Sequence, residues 1–122
     1  MQTNLKITFR HMTSSAAVEN NIRKHLAQLE HHFERITSCH VVVDTPPAHR
    51  NKGGPFSVRI DLTVPGREIF VNSARDDRAQ HTDVYVAIRD AFEAVARQLD
   101  AHMRRRRDEA KHTGNAPLEA FG

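Results

Sequence analysis

Alternating apolar and polar residues mark four β-strands along the chain. In the stretch LKITFR, Leu5, Ile7 and Phe9 alternate with polar residues, which is the two-residue period of a strand with one buried face. The same alternation recurs in TSCHVVVDT (37–45), FSVRIDLTV (56–64) and EIFVNSA (68–74). Because proline and glycine suit the central positions of a tight turn, Pro65-Gly66 predicts a hairpin between the last two strands.

A second pattern, with a period near 3.6 residues, predicts an amphipathic helix after the first strand. Its apolar stripe consists of Val18, Ile22, Leu26, Leu29 and Phe33. Ser15 is placed to accept a hydrogen bond from the first turn, so we expect it to be the N-cap.

The same period predicts a longer helix near the end of the chain. Its stripe consists of Val84, Ile88, Ala91, Phe92, Val95 and Leu99. Thr82 or Asp83 can cap its start, and we expect the helix to continue to about Arg107. Gly114 and Pro117 disfavour helix, so residues 108–122 are expected to form a flexible C-terminal tail.

The order of elements, β-α-β-β-β-α, predicts an α+β fold. Four strands with one polar face and two one-faced helices make a two-layer sandwich, with a four-stranded sheet and both helices on its apolar face. Residues 1–107 would form this single domain. The other face of the sheet would then present Lys6, Arg10, His40 and Arg59. Residues 46–55 are rich in proline and glycine, carry two cations, Arg50 and Lys52, and predict a loop.

Composition bounds the class of protein. A chain of 122 residues with 39% hydrophobic and 27% charged residues is typical of one globular domain. Cys39 is the single cysteine, so an intramolecular disulfide is impossible and a reducing compartment is favoured. The sequence starts with no apolar signal region and contains no stretch of membrane-spanning length. We expect a cytoplasmic protein without a membrane partner.

The residues offer no support for an enzyme, a cofactor or a metal centre. Nine histidines are present, but none form the helical i, i+4 pairs that bind one ion. Cys39 and His40 are neighbours on a strand, so their side chains point to opposite faces and cannot form a dyad. Gly53-Gly54 precedes a strand rather than a helix, which is the wrong context for a loop that binds the phosphates of a nucleotide. We expect no small-molecule substrate.

Arginine is the unusual feature of the charge pattern. The net charge is only +3, yet 14 of the 18 basic residues are arginine, whose planar group binds phosphate with two hydrogen bonds. The run Arg104, Arg105, Arg106 and Arg107 would fan around the end of the long helix and extend past the sheet. Arg89, Glu93 and Arg97 share an outer face of that helix, with internal pairing expected. These features fit RNA binding, and they fit equally a solvated helix end whose cations complement the helix dipole.

Three stretches in matching order carry a resemblance to a known family. They are LKITFRHMTSSAAVENNIRKHLAQLEHHFERITSCHVVV, VRIDLTVPGREIFVNSA and DVYVAIRDAFEAVARQL. Within them, the helix ending at Phe33, the Val64-Pro65-Gly66 turn and the Asp83-x-Tyr85-x-Ala87-Ile88 start are the most specific parts. Together they resemble the ribosome hibernation-promoting factor family, which includes the ribosome-associated inhibitor and ribosomal-subunit interface proteins. The resemblance covers about residues 4 to 107 and is to the short form.

The resemblance implies a fold and a function. The family's fold is β-α-β-β-β-α, similar to the double-stranded RNA-binding domain. Its members bind the rRNA of the small ribosomal subunit in the channel for mRNA and tRNA. They inhibit translation by occlusion in stress or stationary phase, without catalysis. Two alternatives remain: a binder of structured RNA with a non-ribosomal target, and a protein-interaction module that modulates transcription.

The resemblance also names candidate contacts. Arg97 and Lys24 match basic positions of the family, and Arg23 flanks Lys24. Other family positions for lysine hold Ala94, Ala101 and Met103 here. The predicted RNA-binding set is therefore Arg23, Lys24, Arg89, Arg97, Arg104, Arg105, Arg106 and Arg107. A second set of possible contacts is Lys6, Arg10, Arg50, Lys52, Arg59 and Lys111.

Overall fold

The computed structural model describes residues 3–45, 56–72 and 83–120, with side chains described up to residue 107. The elements are β1 (Asn4–Arg10), α1 (Ala16–His32), β2 (Ser38–Asp44), β3 (Ser57–Val64), β4 (Arg67–Asn72) and α2 (Val84–Ala120). The predicted α+β order is confirmed. Each described strand lies within about two residues of its predicted bounds, as expected when the alternation of buried side chains defines it.

The four strands form one sheet in the order β1-β2-β3-β4. β1 and β2 are parallel, because α1 crosses between them, while β2–β3 and β3–β4 are antiparallel. The register aligns Ile7, Val41, Ile60 and Val71 in one row across all four strands. Since side chains alternate along a strand, this register places every apolar row on the same face.

Both helices cover that apolar face, as predicted. Ile22 of α1, Ile88 of α2 and Ile60 of β3 are all fully buried in one continuous core. Cys39 and Leu99 are also about 1% exposed and belong to the same core. The opposite face of the sheet therefore carries the polar residues of each strand.

Local signals in the sequence account for the starts of the helices and for the hairpin. The Ser15 hydroxyl accepts a hydrogen bond from the Val18 amide at 3.2 Å, and the Asp83 carboxylate accepts one from the Tyr85 amide at 2.9 Å. Both are N-cap contacts that satisfy amides of the first turn. Gly66 has φ of +82°, which only glycine adopts at low cost in the turn between β3 and β4.

The predicted end of α2 near Arg107 is wrong. The helix continues to Ala120. The physical reason lies in the residues that follow, because the stretch RRRRDEAK from 104 to 111 consists almost entirely of good helix formers. Gly114 and Pro117 weaken the helix, but neither ends it.

The arginine run makes one contact with the turn between β3 and β4. His102 is 8% exposed and Met103 is half-buried, so packing continues past Leu99. Arg106 Nη1 donates a hydrogen bond to the Pro65 carbonyl oxygen at 3.3 Å. At least one side chain of the arginine run, that of Arg106, therefore contacts the turn between β3 and β4.

Candidate nucleic-acid interface

The predicted RNA-binding residues with described side chains all lie on the two helices and are exposed. They are Arg23 and Lys24 on α1, and Arg89, Arg97, Arg104, Arg105, Arg106 and Arg107 on α2. Because both helices cover one face of the sheet, these cations occupy the helical side of the molecule. We call this set the helix-side cations.

Part of the positive charge is balanced within the helices. Arg23 lies 3.7 Å from Glu19, and Arg104 lies 3.3 Å from Asp100. Arg89 lies 3.2 Å from Asp90 and 4.0 Å from Glu93, which confirms internal pairing for that part of α2. Exposed pairs of this kind stabilise a helix by only about 0.3–0.5 kcal/mol, so a phosphate can compete for these arginines.

The other five helix-side cations have no ion pair with any residue in the part of the chain that has described side chains: Lys24, Arg97, Arg105, Arg106 and Arg107. Arg106 instead donates a hydrogen bond to the Pro65 carbonyl oxygen. Arg97 and Arg107 line the same groove, although ten positions separate them in the sequence. Their charge is available to a ligand. The arginines of the run 104–107 point in different directions around the helix, as predicted. Arg104 faces Asp100, whereas Arg106 faces the turn between β3 and β4.

The second set of predicted contacts is divided between the sheet and segments outside the description. Lys6, Arg10 and Arg59 are exposed on the strand face that points away from the helices. Arg50 and Lys52 lie outside the described residues, and the Lys111 side chain does so as well. A single RNA backbone lying on the helices would therefore not contact the three sheet cations at the same time.

The polar face of the sheet mixes charges and one aromatic ring. The register aligns Lys6, His40, Asp61 and Phe70 across the four strands. His40 Nε2 lies 3.0 Å from the Thr8 hydroxyl, and Phe70 is 53% exposed. The sheet face carries three of the predicted cations, Lys6, Arg10 and Arg59, against eight on the helices, so it is less suited to a polyanion than the helical side.

A groove between the outer sides of α1 and α2 was missed by the sequence analysis. Its first section, about 550 Å³, is lined by residues that include His25, Leu29, Phe33, Arg89 and Phe92. A second section of about 550 Å³ continues towards Arg97 and Arg107. The two sections share His32, Phe33 and Ala96. The groove depends on how two helices pack side by side, and no local pattern in the sequence reports that spacing.

Two aromatic rings stack in this groove. The His25 ring stacks on the Phe92 ring with centroids 5.4 Å apart and 15° between the planes. Burial, followed by the positive charge of Lys24, lowers the pKa of His25 below its usual value, although Glu93 acts in the opposite direction. The ring is therefore held neutral at physiological pH, with one face on Phe92 and the rest lining the groove.

Cys39 is not a nucleophile in this fold. The side chain is 1% exposed, and burial, with the nearby negative charges of Glu30 and Asp61, raises the pKa of its thiol to about 12. The thiolate is the reactive form of cysteine, so this thiol is inert in the folded protein. The predicted position on the apolar face of the sheet is confirmed.

Two further features concern metals and membranes. Across residues 3–45, 56–72 and 83–107, no three histidine, cysteine or acidic side chains come together as a metal-binding group. None of the described helices combines the length and the apolarity needed to cross a lipid bilayer.

A four-stranded sheet with two helices on one face, and with paired and unpaired arginines along those helices, defines a small α+β domain with a basic helical side. The chain belongs to the family described as Sigma 54 modulation protein / S30EA ribosomal protein, whose profile matches residues 5–107. The predicted membership of the hibernation-factor family is thereby confirmed.

Three curated relatives are similar along most of their length, and each carries the name ribosome hibernation promoting factor. The protein of Acinetobacter guillouiae is 30% identical over 110 residues, covering 85% of this chain and 92% of the relative. That of Pseudomonas putida is 28% identical over 102 residues, covering 84% and 86%. That of Azotobacter vinelandii is 26% identical over 120 residues, covering 97% and 99%.

Two solved structures have the same fold. A ribosomal subunit interface protein from Coxiella burnetii superimposes with a TM-score of 0.65 at 15% identity, covering 84% of this chain and 99% of that one. The N-terminal domain of Protein Y from Thermus thermophilus also gives 0.65, at 21% identity, covering 83% and 99%. At these identities the likeness establishes the fold.

Proposed function

We propose that this protein is a ribosome-associated hibernation factor of the cytoplasm. It binds the rRNA of the small ribosomal subunit in the channel for mRNA and tRNA, and it inhibits translation by occupying that channel without catalysis. The observation that carries the proposal is the family match over residues 5–107, which includes at least part of each of the six elements, together with relatives named ribosome hibernation promoting factor.

The charge distribution supports rRNA as the contact within the ribosome. The helix-side cations include Arg97, Arg105 and Arg107, which have no acidic partner among the residues with described side chains. Arginine binds phosphate with two hydrogen bonds and needs no particular base. A backbone-directed grip of this kind fits a factor that occludes a site by shape and charge.

We also propose that residues 1–107 are sufficient for this binding and that residues 108–122 are not required for it. The family match ends at residue 107. The described core residues and the helix-side cations lie within the same limits.

The experiment is co-sedimentation of the full chain with purified 30S subunits and 70S ribosomes. We expect stoichiometric binding at low salt, and a steep loss of binding as salt rises, because phosphate contacts release counterions. An excess of unrelated duplex RNA is the competitor. Efficient competition would instead favour a general binder of structured RNA, and absence from ribosomal fractions at low salt would refute the proposal.

A further inference from the structure

The groove between α1 and α2 has three properties suited to binding a ligand that combines negative charges with flat aromatic rings. Its floor is apolar, with Leu29, Phe33, Phe92 and Ala96. It contains the stacked His25 ring. Its α2 side carries Arg89, Arg97 and Arg107, which span about 27 Å of the helix axis at 1.5 Å per residue.

The balance of charge along the groove is positive. Glu93 and Asp100 also line it, but Glu93 lies 4.0 Å from Arg89 and Asp100 lies 3.3 Å from Arg104. Arg97 and Arg107 have no such partner among the side chains the structure describes. An anionic backbone passing along α2 would find two available cations beside an apolar recess.

The rings give the recess its selectivity. His25 lies with one face on Phe92, so a flat ligand entering the groove meets an aromatic ring that is already fixed in orientation. Phe33 lies where the two sections join. Bases stack on such side chains with little regard to sequence, because every base has a π-face.

We propose that this groove accepts an unpaired RNA base, which stacks against His25 near Phe33 while Arg97 and Arg107 hold phosphates further along the same RNA strand. The inference rests on the proposed function, because the base would belong to the rRNA that the protein is proposed to bind. It changes the expected mode of recognition from backbone alone to backbone with an inserted base.

The test uses a short, fluorescently labelled single-stranded oligoadenylate, and an abasic oligomer with the same number of phosphates. Binding of the full chain is followed by fluorescence anisotropy at low salt. We expect the base-containing oligomer to bind about tenfold more tightly, within the range for one base stacked on an aromatic side chain. Equal affinity for the two oligomers would overturn the inference.

Variants separate stacking from charge. His25→Ser is expected to lose most of the preference for bases, His25→Phe to keep it, and Arg97→Gln to weaken both oligomers by a similar factor. His31→Ser is the matched control, since His31 is exposed on the same helix and does not line the groove. An unchanged preference in His25→Ser would contradict the proposal.

A second variant keeps the test valid if His25→Ser unfolds. Ala96→Leu fills the junction of the two sections without removing a side chain, and leucine is a good helix former. We expect it to lose the preference for bases while its circular dichroism stays unchanged. Two results together would overturn the inference: the wild type binds both oligomers equally, and Ala96→Leu no longer binds ribosomes. The groove would then hold a segment of a ribosomal protein instead of a base. If ribosome binding persisted in every groove variant without any preference for bases, the inference would fail and the proposed function would stand.

Discussion

Arg106 donates a hydrogen bond to the carbonyl oxygen of Pro65 at 3.3 Å, and so joins the arginine run of α2 to the turn between β3 and β4. One of the four arginines thus has a role in the fold and Arg104 pairs with Asp100, while Arg105 and Arg107 remain open to a partner. A Cβ atom added at Gly66 would lie 3.2 Å from Arg106 Nη1.

The conformation of Gly66 should make its replacement by alanine destabilising. Gly66→Ala should lower the free energy of unfolding by about 1–2 kcal/mol, because φ of +82° is costly for alanine. The loss should persist in an Arg106→Ala background, since the flexible guanidinium can move away and the backbone cannot. Urea denaturation of the two single variants and the double variant measures this. A loss that vanished in the double variant would assign the cost to the side-chain contact instead.

Cys39 should resist alkylation in the folded protein. Its thiol is buried and has a pKa raised to about 12, so almost no thiolate forms near neutral pH. We expect iodoacetamide to modify it only as fast as the protein unfolds, and rapidly in denaturant, as followed by mass spectrometry. Rapid modification under native conditions would show that the strand opens locally.

His25 should make stability depend on pH. Burial lowers its pKa in the folded state below the ordinary value of 6.5, so the unfolded chain binds the extra proton more readily. Stability should therefore be fully present above about pH 6.5 and should decrease as the pH falls towards the lowered pKa. His25→Phe should show a smaller decrease than the wild type in thermal unfolding, whereas the exposed control His31→Gln should behave like the wild type. An identical decrease in His25→Phe would assign the pH dependence to other groups.

Removal of residues 108–122 should leave the domain intact. The buried residues whose side chains are described all precede residue 108, so we expect the free energy of unfolding to change by less than about 0.5 kcal/mol. Co-sedimentation with ribosomes should be retained. A marked loss of stability would show that the end of α2, which continues to Ala120, packs against the domain.

The sequence predicts the fold well because strong local patterns repeat in every element. The alternation in β3 gives the sheet one apolar face, and the stripe from Val84 to Leu99 gives α2 another, so the two faces are buried by packing against each other. Caps such as Ser15 mark where helices start. The end of α2 was harder to predict from the sequence, because good helix formers follow Arg107 while Gly114 and Pro117 disfavour a helix. The site was only partly predictable. Exposed arginines can be read from the stripe pattern, but the Arg106–Pro65 contact and the His25–Phe92 stack join residues 41 and 67 positions apart, and such pairings depend on tertiary packing.

We propose that the helical side of the molecule, and not its exposed sheet face, binds the ribosome. The most direct measurement compares 30S co-sedimentation of two variants with equal changes in charge. One carries Arg97→Glu, Arg105→Glu and Arg107→Glu, which spares the structural Arg106. The other carries Lys6→Glu, Arg10→Glu and Arg59→Glu on the exposed sheet face. We predict that the first loses ribosome binding by at least about a hundredfold, as expected for several reversed phosphate contacts, while the second binds nearly as the wild type does. Loss of binding in the sheet variant alone, with both proteins folded, would contradict the account.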